Sequence, residues 1–354
     1  MKVQEVARRL GVTPRAVRFY EEKGLVHPHK DEVNGYRLYT EDDIERLRWI
    51  VTLRELGLPL ASIAEVLEST SRQEGSSTSL LAKLDEARAQ LFAEWRSATH
   101  ALEALDTAVT HLQHGAPELQ PLENAAAKLS SLRKLREAWQ DRWQFDGLAA
   151  AYAVDAPLIH WSRRLKRAEY IQALKRAVEW LDPREEEHGL DLAAGTGNLT
   201  AILMNTGARM TAVEQSANML AVYRERFPYA NAKQGNMLAL PLTSAAFHFI
   251  GCTFAFHYLE SAQQLAALAE IDRVLLPGGR FVLTGLTVEH VNPSIQQHTL
   301  EDTEIDTIAQ DSDDSAHLFE IDDAAVTSWL TGQGYEVVME QLSEAVILLS
   351  AVKP

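Results

Sequence analysis

The first 60 residues place apolar side chains at helical spacing and interrupt them with strong turn signals. The first helical stripe is formed by Val3, Val6, Ala7 and Leu10. Gly11 ends this stripe, and Thr13 with Pro14 then provides the residue types of a helix N-cap and a first helical turn. The pattern therefore predicts a helix-turn-helix whose second helix carries Arg15 and Arg18.

A hairpin turn and a further helix follow in the pattern. Asn34-Gly35 is typical of a tight hairpin turn. We expect Tyr36, Arg37 and Tyr39 to lie on the short strand after this turn. This strand and the one before the turn are together called the wing below. Thr40 and the three acidic residues after it match the N-cap and the first turn of the next helix.

Residues 80–112 predict one long helix with a seam of apolar side chains. The seam consists of Leu84, Ala87, Leu91, Trp95, Ala98, Leu102, Leu105, Val109 and Leu112. Successive positions are three or four residues apart, which is the heptad repeat of a coiled coil. Two interpretations stay open, because the seam can pair with a second copy of the chain or pack on the chain's own core.

From residue 188 onward the pattern changes to short apolar strands separated by helices. The segment HGLDLAAGTGNLT (188–200) combines a strand, a turn of small residues and a helix that begins at Asn198. Gly195 and Gly197 allow the backbone to approach a ligand at the carboxyl end of the strand. Further strands are predicted at 210–213, at 247–253 and within 335–352, and helices at 260–275 and 321–334. This order predicts a doubly wound α/β fold.

Composition favours a cytoplasmic location for this chain of 354 residues. No apolar stretch reaches the roughly 18 residues that a membrane span needs. The N-terminal segment lacks the apolar core of a signal peptide. Cys252 is the single cysteine in the sequence, which excludes an internal disulfide framework.

The net charge of −16 is unevenly distributed along the chain. Residues 1–37 contain eight Lys and Arg against five Asp and Glu. This local positive excess in an acidic chain is expected where nucleic acid phosphates would lie. Residues 301–323 contain ten carboxylates and neither Lys nor Arg, which is typical of a solvated loop.

The segment GVTPRAVRFYEEKGLVHPHKDEVNGYRLYTEDDIERLRWI (11–50) closely resembles the DNA-binding domain of MerR-type transcription regulators. The matching motifs are R-x-Y-E-x-x-G-L, G-Y-R-x-Y and the D-I-x-R-L that follows. The resemblance implies a homodimer on promoter DNA, joined through residues 80–112 as an antiparallel coiled coil. It implies no metal, because the Cys-rich loop of metal-sensing relatives is absent. The DNA-binding residues that it implies are Thr13, Arg15, Arg18, Tyr20, Tyr36, Arg37 and Tyr39.

Four later segments resemble class I methyltransferases that use S-adenosyl-L-methionine (SAM). They are DLAAGTGN, AVEQSANML, QGNMLALPL and VLLPGGRFVL, in this order. The resemblance implies SAM as cofactor, with Glu214 on the ribose and Asp191 at the methionine end. The cofactor-binding residues that it implies are Asp191, Ala193, Gly195, Gly197, Glu214, Gln215, Asn236 and Met237.

Three positions depart from the usual methyltransferase pattern: Ala193 stands for a glycine, and Asn236 and His248 stand for aspartates. The oxygen of Asn236 can still accept a hydrogen bond from the adenine amino group. A nicotinamide site is disfavoured, because the turn reads G-T-G-N rather than G-x-G-x-x-G.

Tyr152 and His257 are the candidate catalytic residues. The segment RWQFDGLAAAYA (142–153) resembles the lid of small-molecule methyltransferases, which implies that Tyr152 lies near the reacting sulfonium. His257 follows the predicted strand 247–253, at the end where ligands gather. For His257 a packed, hydrogen-bonded core residue is an equally open interpretation. The chain lacks the motifs of DNA-amine and DNA-cytosine methyltransferases. DNA is therefore expected to be bound by the head but not to accept the methyl group.

The sequence thus predicts a multidomain chain, with an all-α winged helix-turn-helix head on a long coiled-coil helix, followed by an α/β Rossmann-like methyltransferase domain. The expected boundaries are 1–75 for the head, 76–114 for the coiled-coil helix, 115–142 for a helical linker and 143–354 for the methyltransferase. The expected function is a MerR-type regulator that methylates a small molecule. Two alternatives stay open: a sensor that binds SAM or its product without turnover, and a methyltransferase whose head serves for dimerisation.

Overall fold

The computed structural model describes residues 1–31, 35–71, 76–114, 120–150, 152, 165–286 and 321–354. The chain divides into two compact units, Met1–Arg88 and Ala89–Pro354. The predicted turn residue Asn34 and most of the acidic segment 301–323 lie outside the described residues. In the part of the chain that is described, no helix combines the length and the apolar character needed to cross a membrane.

The first unit has the predicted order of helix-turn-helix, wing and further helices. Its helices are α1 (Val3–Leu10), α2 (Pro14–Glu22), α3 (Glu41–Glu55), α4 (Leu60–Ser71) and the first part of α5 (Ser76–His114). Its strands are β1 (His29–Lys30) and β2 (Arg37–Leu38). The two strands pair antiparallel, with His29 opposite Leu38, and so form the wing.

Caps fix the ends of these helices at the positions that the sequence indicates. Thr13 Oγ1 accepts a hydrogen bond from Ala16 N at 3.1 Å and so begins α2. At the start of α3, Thr40 Oγ1 accepts from Asp43 N at 3.1 Å, and the Asp43 carboxylate accepts from Thr40 N at 2.9 Å. Gly11 ends α1 in the left-handed region, with φ of +69°.

The apolar seam of α5 is divided between two environments. Leu84 and Ala87 pack, together with Leu80, against the buried core of the first unit. Farther along the helix, five seam side chains are between 46% and 61% exposed in the single chain: Leu91, Trp95, Leu102, Leu105 and Val109. Part of the seam therefore serves the chain's own core, and the other part is a solvent-facing apolar stripe.

The second unit is built around a sheet with helices on both faces. Its helices after α5 are α6 (Gln120–Ala138), α7 (Phe145–Leu148), α8 (Arg167–Leu181), α9 (Asn198–Leu203), α10 (Ala217–Arg226), α11 (Ser261–Val274) and α12 (Asp323–Gly332). Its strands are β3 (His188–Leu192), β4 (Arg209–Glu214), β5 (Asn231–Gln234), β6 (Phe247–Thr253), β7 (Leu275–Leu286), β8 (Glu336–Gln341) and β9 (Val346–Val352). Short 3₁₀ turns lie at Met204–Thr206 and Phe256–Tyr258.

Within the described residues the seven strands of this unit form one mixed sheet in the order β5-β4-β3-β6-β7-β9-β8. The strands from β3 to β7 are parallel, and β9 runs antiparallel between β7 and β8. The chain moves outward from β3 through β4 to β5 and then returns to β6 on the other side of β3. The point between β3 and β6 is therefore a topological switch point, where α/β folds bind ligands.

The central strands are apolar on both faces because helices cover both faces. Ile250 and Phe281 belong to one buried cluster, whereas their neighbours Phe249 and Val282 belong to the other. The Pro-Gly-Gly sequence at 277–279 forms an excursion within β7, since Phe247 pairs with Leu275 but Phe249 pairs with Arg280.

Candidate functional site

A cavity of about 230 Å³ opens at the carboxyl ends of β3, β4 and β6, next to the switch point. The strand ends contribute Leu192, Glu214 and Thr253 to its wall. The predicted cofactor residues on the wall are Ala193, Gly195, Glu214, Gln215, Asn236 and Met237. Six of the eight are thus brought together around one cavity, while Asp191 and Gly197 lie outside its wall.

The turn between β3 and α9 needs residues that tolerate positive φ. Ala193, Gly195 and Gly197 have φ of +56°, +54° and +90°. A Cβ on Gly197 would lie 2.4 Å from the Phe227 ring and 2.8 Å from the Tyr223 ring, so only glycine fits there. Gly197 therefore acts through the shape of the turn rather than through direct contact with the cavity.

Glu214 ends β4 with its carboxylate buried at the cavity wall. Oε2 accepts a hydrogen bond from Gly195 N at 2.8 Å. Oε1 accepts from Gln215 N and Ser216 N, each at 2.8 Å. Burial raises the pKa of this carboxyl, and the three backbone donors partly offset that effect. Since a carboxylate has about four acceptor positions, Glu214 can take a further donor from the cavity.

Asp191 lies behind the cavity wall, so its expected ligand contact stays a prediction. Its Oδ2 accepts hydrogen bonds from Thr200 N at 3.0 Å and from Thr200 Oγ1 at 2.6 Å. The side chain is 1% exposed. Burial raises the pKa of Asp191 to about 7, although the bonds from Thr200 lower it. Asp191 therefore ties the end of β3 to the first turn of α9.

The segment after β5 forms another part of the wall. Asn236 and Met237 line the cavity. The Asn236 Oδ1 atom accepts a hydrogen bond from Leu238 N at 2.7 Å. The amide oxygen predicted to meet adenine therefore already has one backbone partner, and its second lone pair and its NH₂ group are the remaining hydrogen-bonding capacity.

A short segment around α7 covers the cavity and adds residues that sequence reasoning missed. Asp146 Oδ1 accepts hydrogen bonds from Ser216 Oγ at 2.6 Å and from Asn218 N at 3.1 Å, at the start of α10. The Trp143 ring stacks edge-on against Tyr258, with 4.6 Å between centroids. Asp146, Phe145 and Trp139 line the cavity. The lid-like segment 142–153 was the signal for Phe145 and Asp146, but it does not say which side chains face inward, and Trp139 lies before it.

Only one of the two candidate catalytic residues reaches the cavity. Tyr152 lies on the wall, and burial raises the pKa of its phenol well above the ordinary value. His257 is 1% exposed and packs in the core beside Tyr258, with 4.5 Å between the ring centroids. The structure therefore favours the packed-core interpretation of His257, because its ring does not line the cavity.

The cavity wall is electrostatically suited to a cation. Asp141, Asp146 and Glu214 supply carboxylates, and Tyr152 and Tyr258 supply aromatic rings. Among the described residues that line the cavity, none is Lys or Arg. Carboxylates attract a cation through charge, and aromatic faces attract it through their quadrupole.

On the head, the second helix of the helix-turn-helix presents its polar side to solvent. Arg15 and Arg18 are exposed, and Tyr20 is partly buried. Thr13 is also exposed, and its hydroxyl oxygen accepts the capping hydrogen bond of α2. The predicted contacts of α2 thus share a short stretch of one helix, as a recognition helix requires.

The wing residues differ in what they can contact. Tyr36 is 60% exposed. The Arg37 Nε donates to both carboxylate oxygens of Glu21 on α2, at 2.6 and 2.7 Å. Tyr39 is 2% exposed, and its hydroxyl lies 3.5 Å from Glu21. Burial and the charge of Glu21 raise the pKa of Tyr39 to about 12. The expected DNA contact of Tyr39 is thereby corrected, since its side chain belongs to the core.

Comparison with known proteins gives separate matches for the two halves. The model of the MerR HTH family regulatory proteins matches residues 1–70, and a model described as "MerR, DNA binding" matches 44–108. The HTH-type transcriptional regulator YfmP of Bacillus subtilis is 33% identical over 131 residues. That alignment covers 36% of this chain and 94% of the relative.

A model described as a methyltransferase domain matches residues 190–283. An uncharacterised methyltransferase of Mycobacterium bovis is 36% identical over 107 residues, which is 30% of this chain and 43% of that protein. The ubiquinone/menaquinone biosynthesis C-methyltransferase UbiE of Rubrivivax gelatinosus is 36% identical over 109 residues, with the same coverage of both chains. The match thus spans less than half the length of these two methyltransferases.

Proposed function

Because the chain belongs to the MerR family of helix-turn-helix regulatory proteins and also carries a methyltransferase domain, we propose that it is a promoter-binding homodimer that binds SAM and methylates a small molecule. The proposal places the DNA contacts on α2 and the wing, the dimer contact on the exposed stripe of α5, and SAM in the cavity of the second unit. The proposed location is the cytoplasm, and promoter DNA and the methyl acceptor are the proposed partners.

The residues around the cavity fit SAM in charge and in hydrogen bonding. Its ribose would meet the remaining acceptor capacity of Glu214, and its adenine would lie beside Asn236 and Met237. Its positive sulfonium suits a wall that has carboxylates and aromatic rings and, among the described lining residues, no cation. When bound, SAM supplies a methyl group on a good leaving group, so positioning is the main demand on the protein.

The chain's own residues orient an acceptor rather than deprotonate it. The Tyr152 phenol keeps its proton at neutral pH because burial raises its pKa. It can therefore donate a hydrogen bond to the acceptor but does not serve as a base. Trp143, Phe145 and Tyr258 exclude water through their stacked rings. We therefore propose an acceptor whose nucleophile needs no proton removed by the protein, such as a neutral amine.

The observation that carries the SAM proposal is the Glu214 carboxylate at the end of β4, beside Gly195. The test is calorimetric titration of the full chain with SAM. Glu214→Ala removes a charged acceptor, and hydrogen bonds to charged groups are worth roughly 1.5–3 kcal/mol each. We expect the affinity for SAM to fall by at least tenfold, while Glu225→Ala, an exposed carboxylate on α10, leaves it unchanged. Equal affinity of both variants and the wild type would refute the ribose role.

A sensor that binds SAM without turnover is the second candidate. It is favoured by the same high pKa of Tyr152, because a ligand site needs no proton acceptor. Incubation of the full chain with SAM and a panel of amines, read out as S-adenosylhomocysteine formed, separates the two candidates. Product above the protein-free background supports the enzyme, and SAM binding without product supports the sensor.

A further inference from the structure

Three arginines from the helices of the second unit converge on the segment that borders the cavity. This segment, called the cofactor loop below, comprises residues 236–242 and begins with the wall residues Asn236 and Met237. Arg136 Nε on α6 donates to the Leu238 carbonyl at 3.1 Å. Arg273 on α11 donates to the carbonyls of Leu240 at 3.2 Å and Leu242 at 2.8 Å. The backbone of the loop is therefore held from outside the cavity.

The third arginine acts through a buried carboxylate. Glu270 Oε2 accepts a hydrogen bond from Leu240 N at 2.9 Å. Its other oxygen accepts from Arg96 Nε on α5 at 2.8 Å. The side chains of this Arg96–Glu270 pair are 8% and 4% exposed. Burial tends to raise the pKa of Glu270, but Arg273 and Arg96 together hold it below its usual value. Glu270 is thus a charged bridge from α5 to the cofactor loop.

A buried ion pair needs a reason, since a well-packed apolar pair of the same size is often equally stable. Neither the apolar seam of α5 nor the core of the first unit accounts for the Arg96–Glu270 pair. Arg96 lies outside the apolar seam of α5 and is buried within the second unit. On the same helix, Leu80, Leu84 and Ala87 belong to the core of the first unit. One continuous helix therefore carries both a core face of the DNA-binding head and the arginine that holds Glu270.

We propose that Arg96 and Glu270 are positioning residues for the cofactor loop, and that through them the occupant of the cavity biases α5. The inference rests on the proposed function, since it names the regulation of the same cavity. A ligand that prefers one arrangement of Leu238–Leu242 favours one arrangement of the Arg96–Glu270 pair. Because Arg96 belongs to α5, that preference also acts on the helix that contributes to the head.

The first test is ligand affinity in the full chain, with sinefungin as a non-reactive SAM analogue. Arg96→Met removes the ion pair but keeps an unbranched, flexible side chain, and we expect sinefungin to bind about 2–30-fold more weakly. Arg280→Met is the matched control, because it removes a mostly buried Arg–Glu pair, with Glu187, that joins β7 to the segment before β3. This control should stay within about twofold of the wild type. Arg96→Lys keeps the charge and should recover most of the affinity.

The second test separates failure of this inference from failure of the proposed function. Hydrogen exchange at the Leu240 amide needs no ligand, since that amide donates to Glu270 in the chain itself. We expect Arg96→Met to exchange faster than wild type at Leu240, and Arg280→Met not to. If the wild type fails to bind sinefungin, the proposed function is refuted. The exchange rate at the Leu240 amide still decides whether Arg96 positions the cofactor loop. Should Arg96→Met be too unstable to purify, Arg96→Lys is compared instead, with a smaller acceleration expected.

The third test concerns α5 and uses a DNA duplex that the full chain selects from random sequence. In the wild type we expect sinefungin to change the affinity for this duplex by about 5–150-fold. Arg96→Met should reduce this change to less than twofold, whereas Arg280→Met should retain it. The inference is overturned if Arg96→Met keeps wild-type exchange at Leu240, or if it keeps the wild-type response of DNA affinity to sinefungin.

Discussion

At the scale of single residues, two carboxylates at neighbouring strand ends have different roles. Glu214 reaches the cavity wall and accepts three backbone N–H groups there. Asp191 lies deeper and accepts both of its hydrogen bonds from Thr200. Asp191 pairs with Ala212, so Glu214 lies on the same face of the sheet but two residues farther toward the carboxyl ends of the strands. One carboxylate therefore faces the cavity, and the other stabilises the turn that shapes the cavity.

The raised pKa of Asp191 predicts a specific pH dependence of stability. Between its ordinary value of 3.8 and about 7, the folded chain keeps a proton that the unfolded chain releases. The contribution of Asp191 to the free energy of unfolding should therefore fall as the pH rises from 4 to 7 and level off above 7. Asp191→Asn removes this titration, so the difference from wild type should change by about 4 kcal/mol over that range.

The measurement for Asp191 is calorimetric melting of the full chain at a series of pH values. Asp182→Asn is the control, because Asp182 is exposed at the end of α8, where a left-handed backbone suits Asn equally well. Its difference from wild type should stay constant with pH. A constant difference for Asp191→Asn as well would contradict the buried, protonated carboxyl.

Residue roles mark the point where prediction from sequence ends. The motif around Asp191 and Gly195 indicates the correct strand end, because strand, small-residue turn and helix are local patterns. It does not reveal that Thr200 donates two hydrogen bonds to the Asp191 carboxylate, or that the His257 side chain is buried in the core. Likewise the G-Y-R-x-Y motif contains both Tyr36 and Tyr39, yet Tyr36 is exposed and Tyr39 is buried. Which way a side chain points depends on packing partners that are distant in sequence.

At the scale of elements, the wing is held against α2 by Arg37 and Glu21. Because Glu21 neutralises Arg37, this arginine adds little charge for phosphate. Arg37→Ala should therefore weaken DNA binding by misplacing the wing, with the salt dependence nearly unchanged. Arg18→Ala, on the exposed side of α2, should reduce the slope of log affinity against log salt by about 0.9. Titrations of the selected duplex at several salt concentrations measure both slopes, and equal changes of slope would contradict this division.

The exposed stripe of α5 predicts a dimer. Leu102→Glu and Leu105→Glu place charges in the most exposed part of the stripe, where the side chains are 61% and 56% exposed. If a second chain covers them, either change should convert the dimer to monomer in sedimentation equilibrium. Thr107→Glu lies on the exposed surface outside the stripe and should leave the association state unchanged. If the wild type sediments as a monomer, the prediction that the stripe is a dimer contact is wrong.

Elements were the most predictable level of the structure. Helix caps at Thr13 and Thr40 and the period of α5 are local signals, and the structure has helices at these positions. The excursion inside β7 was not predictable, because Pro-Gly-Gly reads as a turn between elements. Its pairing with β6 on both sides depends on the sheet as a whole. The proposed domain boundaries and the dimer stay predictions.

At the scale of the whole molecule, one chain carries two proposed binding functions, and their free energies are linked if they share a two-state element. Thermodynamic reciprocity then requires the selected duplex to change sinefungin affinity by the same factor by which sinefungin changes duplex affinity. Calorimetry with and without duplex, compared with DNA titrations with and without sinefungin, measures both factors. Unequal factors would show that one of the two titrations reports a separate process, and two factors of one would make the head and the cavity independent.

Because α5 is one continuous helix from Ser76 to His114, a change in its length alters both the position and the rotation of every later residue. Each residue inserted after Arg88 would rotate all later residues by about 100° and advance them by about 1.5 Å. Seven added residues would restore the rotation almost completely, whereas two or five would turn the Arg96 side about half a revolution away from the side of Leu84. Two insertions of similar length can therefore have opposite effects, because communication along a helix depends on angle as well as on distance.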